Sequence, residues 1–367
     1  MRQRPASRSR SSGWTGRTAK RSSSVTASAI PSIVLLLYSV ALAVIGTAIT
    51  WWGSGKLETA SERLATHYEL PPIVQGAVLM AVGSSFPELS STVLATLIHG
   101  TFDLGVAAIV GSAIFNILVI PGLSRLGSQE MVLDREVVYK DAQFYITSVA
   151  VLLLTFALAV IYNPSSEAPL TGVVTRPLAL IPVGLYVLYL FLQQQDTFDF
   201  HAEPVPEDVP VGREWRRLGA SLLLILLGVE ALVNAAIGLG DWFGTPSFLW
   251  GVTVVAAGTS VPDAMVSVRA ARAGYGTVSM ANVLGSNIFD LLIAVPAGIL
   301  VAGAAPINFA AAVPMMGYLT FATIVLFTAM RIKLTLQTAE AAFLLLLYVA
   351  FIGWMMLETM GITSVVI

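Results

Sequence analysis

Two acidic residues stand where a membrane-spanning segment least tolerates them. Glu88 lies in AVGSSFPEL, Ala81 to Leu89, and Asp263 lies in AAGTSVPDAM, Ala256 to Met265; each follows a proline inside a long apolar run. An acid at mid-bilayer costs about 3 kcal/mol on insertion scales, and more by other measures. Pro87 has no N–H for the carbonyl of Gly83, Pro262 has none for that of Gly258, and each ring crowds the carbonyl it abandons. The helices are therefore expected to open there. A freed carbonyl in hydrocarbon is costly unless something bonds to it. Ser84, Ser85, Thr259 and Ser260 add hydroxyl oxygens on the same turns. Carboxylates, carbonyls and hydroxyls together form the ligand set of a hard cation such as Ca²⁺. Glu88 and Asp263 would neutralise its two charges. A plainer reading stands beside this one: prolines kink many membrane helices, glycine and serine serve close helix packing, and a lone buried acid can be protonated.

The elements that would position these residues are legible from composition. The chain has 367 residues, of which 56% are hydrophobic and only 11% charged. A soluble domain carries about 25% charged residues, so the chain reads as an integral membrane protein. It has no cysteine, which excludes disulfides, thiolate metal sites and cysteine catalysis. Its three histidines, His67, His99 and His201, are too few and too scattered for a multi-histidine centre. Runs of about 20 apolar residues, the length of a membrane helix, lie near 31–52, 71–98, 104–124, 142–162, 177–194, 217–237, 246–271, 277–302, 309–330 and 337–357. This predicts about ten spans: 1–30 a basic, Arg- and Ser-rich tail, disordered or targeting; 31–194 a first group of five helices; 195–216 a polar linker; 217–367 a second group of five. Of the Lys and Arg in the loops, twelve fall in odd-numbered loops and one, Arg176, in an even-numbered loop. The positive-inside rule then puts the odd loops and the linker in the cytoplasm and both termini outside. The basic tail points the other way, but the loop bias repeats along the whole chain.

The two groups are copies of one another. LPPIVQGAVLMAVGSSFPE, Leu70 to Glu88, aligns without a gap with TPSFLWGVTVVAAGTSVPD, Thr245 to Asp263, and IVGSAIFNIL, Ile109 to Leu118, aligns with VLGSNIFDLL, Val283 to Leu292. The copies start five crossings apart. Five is odd, so they point in opposite directions through the bilayer, as in inverted-repeat transporters.

GSSFPELSS and GTSVPDAMVS, with GSAIFN and GSNIFD behind them, resemble the paired signature motifs of the sodium/calcium exchangers of the cation/calcium exchanger superfamily. The resemblance covers most of the predicted core. It implies an all-α membrane fold of ten helices in two inverted repeats, with proline-interrupted second and seventh helices, and Ca²⁺ transport against Na⁺ by alternating access. It implies that Glu88 and Asp263 are the central carboxylates, that Ser84 and Thr259 present backbone carbonyls to the ions, and that Ser85 and Ser260 neighbour them. Gly83 and Gly258 open the same segments. Asn282 matches a polar ligand position; its first-repeat partner is Ala108, so one side-chain ligand is missing. GTSVPD, GSAIFN and GSNIFD are most similar to the potassium-dependent branch, in which the Asp matching Asp290 is tied to K⁺. Three acids would leave one charge unbalanced by Ca²⁺, and a co-bound K⁺ would balance it. Alternatively, Asp290 is protonated, or bonded to Ser112, Asn116 or Asn287.

The expectation is a secondary antiporter exchanging Ca²⁺ for Na⁺, with K⁺ as a possible third ion, no cofactor and no enzymatic activity. Its partners would be the lipid bilayer and small cations, with no nucleic acid, and its location a membrane, most naturally the plasma membrane. Oligomeric state is not readable. A H⁺/Ca²⁺ exchanger is the nearest rival, because the same carboxylates can titrate; a cation channel is the next. No HExxH or GxSxG motif points to an intramembrane enzyme. Outside the motifs, Glu230 and Asn234 share a helix face and either border the ion path or pack. His99 reads as a boundary residue or a proton-coupling group, Glu340 as a residue snorkelling to the interface, and Trp51 and Trp52 as interfacial aromatics.

Overall fold

The computed structural model describes residues 32–68, 81–128, 130–135, 137–166, 169–196, 210–363 and 365. The basic tail, Pro71 and Gly76 of the first repeat, and linker residues 197–209 lie outside the described residues. Ten helices follow in order: α1 (Ser32–His67), α2 (Ala81–Leu97), α3 (Phe102–Gly127), α4 (Val137–Tyr162), α5 (Arg176–Asp196), α6 (Val211–Phe243), α7 (Ser247–Arg272), α8 (Gly276–Ala302), α9 (Phe309–Arg331) and α10 (Thr338–Thr359). Among the described residues, all but α2 are long and apolar enough to cross a membrane. They fall on the ten predicted runs.

Two helices overrun their apolar stretch. At 1.5 Å per residue, the 36 residues of α1 span about 54 Å, far more than the hydrocarbon core. Lys56, Glu58, Glu62 and Arg63, expected in a loop, lie on this extension. α6, with 33 residues, begins in Arg213 to Arg217 and ends at Gly244, whose φ of +66° closes the helix in the left-handed region open to glycine. α1 and α6 pack side by side along glycines: a Cβ on Gly46 would sit 2.7 Å from the Gly228 carbonyl. Arg63 and Arg217 reach the buried Glu214 at 3.4 and 2.8 Å, and Trp215 donates to the Tyr68 hydroxyl at 3.2 Å, tying the two helices at one end.

The loop contacts test the alternation of crossings. Two short strands break the all-helical expectation: β1 (Thr171–Thr175), after α4, pairs antiparallel with β2 (Ala304–Asn308), after α8. At the opposite end Val132, after α3, bridges Thr335, after α9. Even-numbered loops meet even, and odd meet odd, as alternating passage through a bilayer requires. Because five crossings separate the copies, α2 and α7 are inverted relative to one another. α3 is the most buried span, with 94% of its apolar window inside the molecule; α2, α7 and α8 pack around it.

Neither α2 nor α7 breaks at its proline. Both stay helical through Pro87 and Pro262. In α7 the departure from α geometry is a five-residue π-turn, Gly251–Val255, upstream of the motif. Packing decides its place: Gly251 lies against α3, where a Cβ would sit 2.9 Å from the Leu104 carbonyl. Another π-turn, Asp290–Ala294, interrupts α8 just before Pro296, and a third, Val137–Asp141, opens α4. Glu340 does not snorkel; it closes a capping box with Gln337 at the start of α10.

Candidate functional site

α3 carries the side chains that join the two repeats. Ser112 and Asn116 are four residues apart and share a face. The Ser112 hydroxyl lies 2.7 Å from that of Ser260 on α7 and donates to Glu88 Oε1 on α2 at 3.4 Å. Asn116 Nδ2 donates to Asp263 Oδ2 on α7 at 3.2 Å and to Asn287 Oδ1 on α8 at 3.0 Å. Asn287 in turn donates to the Ala113 carbonyl at 3.3 Å and the Tyr145 hydroxyl at 3.4 Å. Gly111 makes this closeness possible. A Cβ there would overlap the Val252 carbonyl oxygen and come within 2.8 Å of Ala256 Cβ, so α3 and the π-turn of α7 touch backbone to backbone.

The contacts around the acids are reciprocal. Ser84 of the first repeat lies beside Asp263 of the second, and its counterpart Thr259 lies beside Glu88. Ser112 meets Glu88, and its counterpart Ser286 lies beside Asp263. Asn116 meets Asp263, and its counterpart Asp290 acts electrostatically on Glu88. The two inverted copies thus close on each other about a pseudo-twofold axis.

Glu88, Asp263 and Asp290 are at most 1% exposed. Among the described residues Arg63, Arg213 and Arg217 pair with Glu214, and His99 hydrogen-bonds Glu230; no basic side chain is paired with these three acids. Seven buried oxygens here have no partner in strict hydrogen-bond geometry: Glu88 Oε2, Asp263 Oδ1, both carboxylate oxygens of Asp290, the hydroxyls of Ser84 and Ser85, and Asn116 Oδ1; the Ser84 hydroxyl lies close to Asp263 and that of Ser85 close to Asp290 without closing such a bond. Buried polar atoms are almost always paired, so such a concentration marks a place built for something that supplies positive charge. Among the described residues no three His, Cys, Asp or Glu side chains alone are arranged to hold a metal ion. Hydroxyl and amide oxygens would have to complete any coordination shell.

The structure brings together Glu88, Asp263, Asp290, Ser84, Ser85, Thr259 and Ser260. It does not bring in Asn282, which donates to Ser267 at 3.0 Å, one turn from Asp263 along α7. Asp290 bonds to none of Ser112, Asn116 or Asn287, which are engaged elsewhere; Ser85 lies beside it. Gly258 is packed, with Leu232 and Thr47 each 2.8 Å from where its Cβ would be. Sequence reasoning named Ser112 and Asn116 only as possible partners of Asp290. Their i, i+4 spacing, and the alignment of Asn116 with Asp290, were the signals that could have promoted them.

The sodium/calcium exchanger protein family model matches residues 38–194 and 215–357, most of the chain. The chain belongs to the sodium/calcium exchanger family. Among its exchanger relatives, "Sodium/calcium exchanger MaX1" of Methanosarcina acetivorans is 24% identical over 271 residues, covering 66% of this chain and 77% of that protein. "Sodium/potassium/calcium exchanger 4" of Homo sapiens is 47% identical over a shorter stretch of 55 residues, 15% of this chain and 9% of that protein. A solved structure of the sodium-calcium exchanger NCX_Mj superposes with a TM-score of 0.57 at 23% identity, covering 87% of this chain and 99% of that one; at that identity the match speaks for the exchanger fold.

Proposed function

We propose that this membrane antiporter exchanges Ca²⁺ for Na⁺, with K⁺ co-transported, at the buried site between α2, α3, α7 and α8. The carrying observation is the cluster of orphaned oxygens around three acids that have no basic partner among the described residues. Ca²⁺ takes six to eight oxygen ligands, and the donors here are oxygens alone. Glu88 and Asp263 are the central ligands, with Ser84, Ser85, Thr259, Ser260, Asn116 and the Gly83 and Gly258 carbonyls as the further oxygens to test. Asn282 stands outside this set, bonded to Ser267 one turn beyond Asp263. Two carboxylates match the charge of Ca²⁺. Asp290 leaves one more negative charge, which K⁺ balances; the strong local similarity to a sodium/potassium/calcium exchanger supports this.

Transport is competition for shared oxygens. Na⁺ ions and Ca²⁺ need overlapping ligands, so one load excludes the other. Either load cancels enough buried charge for the site to change sides; the empty site, with its charges uncompensated, resists the change. No cofactor takes part, and the ions are substrates. The odd-numbered loops and the linker face the cytoplasm of a cell whose plasma membrane holds the protein, with both termini outside.

The test is ⁴⁵Ca²⁺ uptake into proteoliposomes driven by an outward Na⁺ gradient. Wild type takes up Ca²⁺; Glu88→Gln and Asp263→Asn do not. Uptake retained in both variants would remove the assigned roles. Uptake driven by a pH gradient without Na⁺ would make the protein a H⁺/Ca²⁺ exchanger, and flux without any counter-ion would make it a channel.

A further inference from the structure

Two acids outside the site occupy matching places at its opposite ends. α1 and α7 run in the same direction and pack together. They are in register where Thr47 Oγ1 lies 2.8 Å from the Cβ position of Gly258. Eleven residues further on each helix come Glu58 and Arg269, so equal rise sets them level, outward of Asp263 on the odd-loop face. Glu58 is half-buried, and the charges of Glu62, Asp263 and Arg269 all act on it. One turn nearer the site, Ser54 is 3% exposed and its hydroxyl has no partner. A polar face thus runs along α1 from Glu58 toward the ion site.

The other repeat does the same at the other face. α6 and α2 run in the same direction and pack together. Glu230 on α6 meets His99, just past the end of α2, at 2.9 Å, and Asn234 Nδ2 donates to the same carboxylate oxygen at 2.8 Å. Its second oxygen is buried and has no partner. The offset that superposes Glu88 on Asp263 carries Glu58 to within one helical turn of Glu230. Each acid therefore sits on the first helix of its repeat, against the outer end of the other repeat's motif helix, with Arg269 level with Glu58 and His99 hydrogen-bonded to Glu230.

We propose that Glu58 and Glu230 are entrance carboxylates. Glu58 draws cations from the odd-loop face toward Asp263, and Glu230 draws them from the even-loop face along α2 toward Glu88. A fixed charge at the mouth of a low-dielectric path raises the local cation concentration and the rate of entry, and added salt weakens the effect. Neither residue coordinates the ion at the central site, so removing its charge changes capture and not turnover.

This rests on the exchanger reading above, and the experiment separates the two. The chain has no cysteine, so Glu130→Cys in an odd-numbered loop gives one handle. Biotinylation with an impermeant maleimide lets vesicles of one orientation be retrieved. Ca²⁺ is then titrated at each face in turn. Glu58→Gln should raise the apparent KM for Ca²⁺ about fivefold at the odd-loop face only, and Glu230→Gln by a similar factor at the even-loop face only. Maximal rates should stay unchanged, both shifts should shrink at high ionic strength, and Glu58→Asp and Glu230→Asp should resemble wild type. Wild-type KM at both faces, equal shifts at both faces, or a fall in maximal rate alone would overturn the entrance role. Loss of Na⁺-driven uptake in the parent carrying only Glu130→Cys, shared by wild type, would instead overturn the exchanger reading.

Discussion

The glycines of GSAIFN and GSNIFD look equivalent in sequence, yet the structure gives them unequal work, and alanine substitution separates them. At Gly111 a Cβ would overlap the Val252 carbonyl oxygen and sit 2.8 Å from both Val252 C and Ala256 Cβ. These are mostly backbone atoms, which cannot swing away. To reach ordinary van der Waals distance, α3 and α7 must part by roughly 1 Å. The 2.7 Å contact between Ser112 and Ser260 then breaks. Overpacking of this kind costs about 1–3 kcal/mol, and the lost buried hydrogen bond about 1 kcal/mol. The sum, about 2–4 kcal/mol, corresponds to a loss of about 30-fold to 1,000-fold in Ca²⁺ affinity if all of it falls on the cation-competent arrangement. At Gly285 a Cβ meets nothing within 4 Å, so Gly285→Ala should stay within about twofold of wild type by the same reckoning. The assay is a Ca²⁺ titration of thermal unfolding in detergent, where the shift in midpoint against concentration gives affinity by linkage. Equal losses in the two variants, or tolerance of Gly111→Ala, would refute the claim that backbone contact between α3 and α7 shapes the site.

Three further outcomes follow from the same geometry. Asp290→Asn should abolish K⁺ stimulation of Ca²⁺ uptake while leaving Na⁺-driven exchange, measured as ⁴⁵Ca²⁺ flux with and without K⁺. Ca²⁺ at 100 times its Kd should stabilise wild type by about 2.7 kcal/mol, seen as a raised unfolding midpoint, and should leave a Glu88→Gln/Asp263→Asn double variant unmoved. Asn116→Leu removes donors to both Asp263 and Asn287 and should cost about 2–4 kcal/mol, read as a lower midpoint without Ca²⁺ and weaker Ca²⁺ dependence.

The ten spans and the repeat were readable because bilayer thickness fixes helix length and the motif residues recur at fixed spacing. Glu88, Asp263 and Asp290 were readable because an acid in an apolar run has few innocent explanations. Ser112 and Asn116 were harder: small polar residues are common in membrane helices, and only the fold shows that α3 sets these two against three acid- or amide-bearing turns at once. The far end of α1 was hidden for a different reason. A hydropathy window stops at Lys56, whereas the helix continues because LETASERLA is a good helix-forming sequence resting against α6 and α7. The prolines misled in position. They announced irregular helices, but the π-turn formed upstream, where Gly251 meets α3, a long-range contact that no local pattern encodes.

The fasteners at the two membrane faces divide the molecule unevenly. The β1–β2 pair ties the ends of α4, α5, α8 and α9, and the Val132–Thr335 bridge ties the opposite ends of α3, α4, α9 and α10. α1 and α6 are stapled instead to each other, by Glu214 with its arginines and by the glycine contacts between them. Across the seam between this pair and the other eight helices run the His99–Glu230 hydrogen bond, the close seating of Thr47 and Leu232 on Gly258, and the level pair of Glu58 and Arg269. Shear along that seam would have to part those few contacts, but would leave the tied loops and their strands undisturbed.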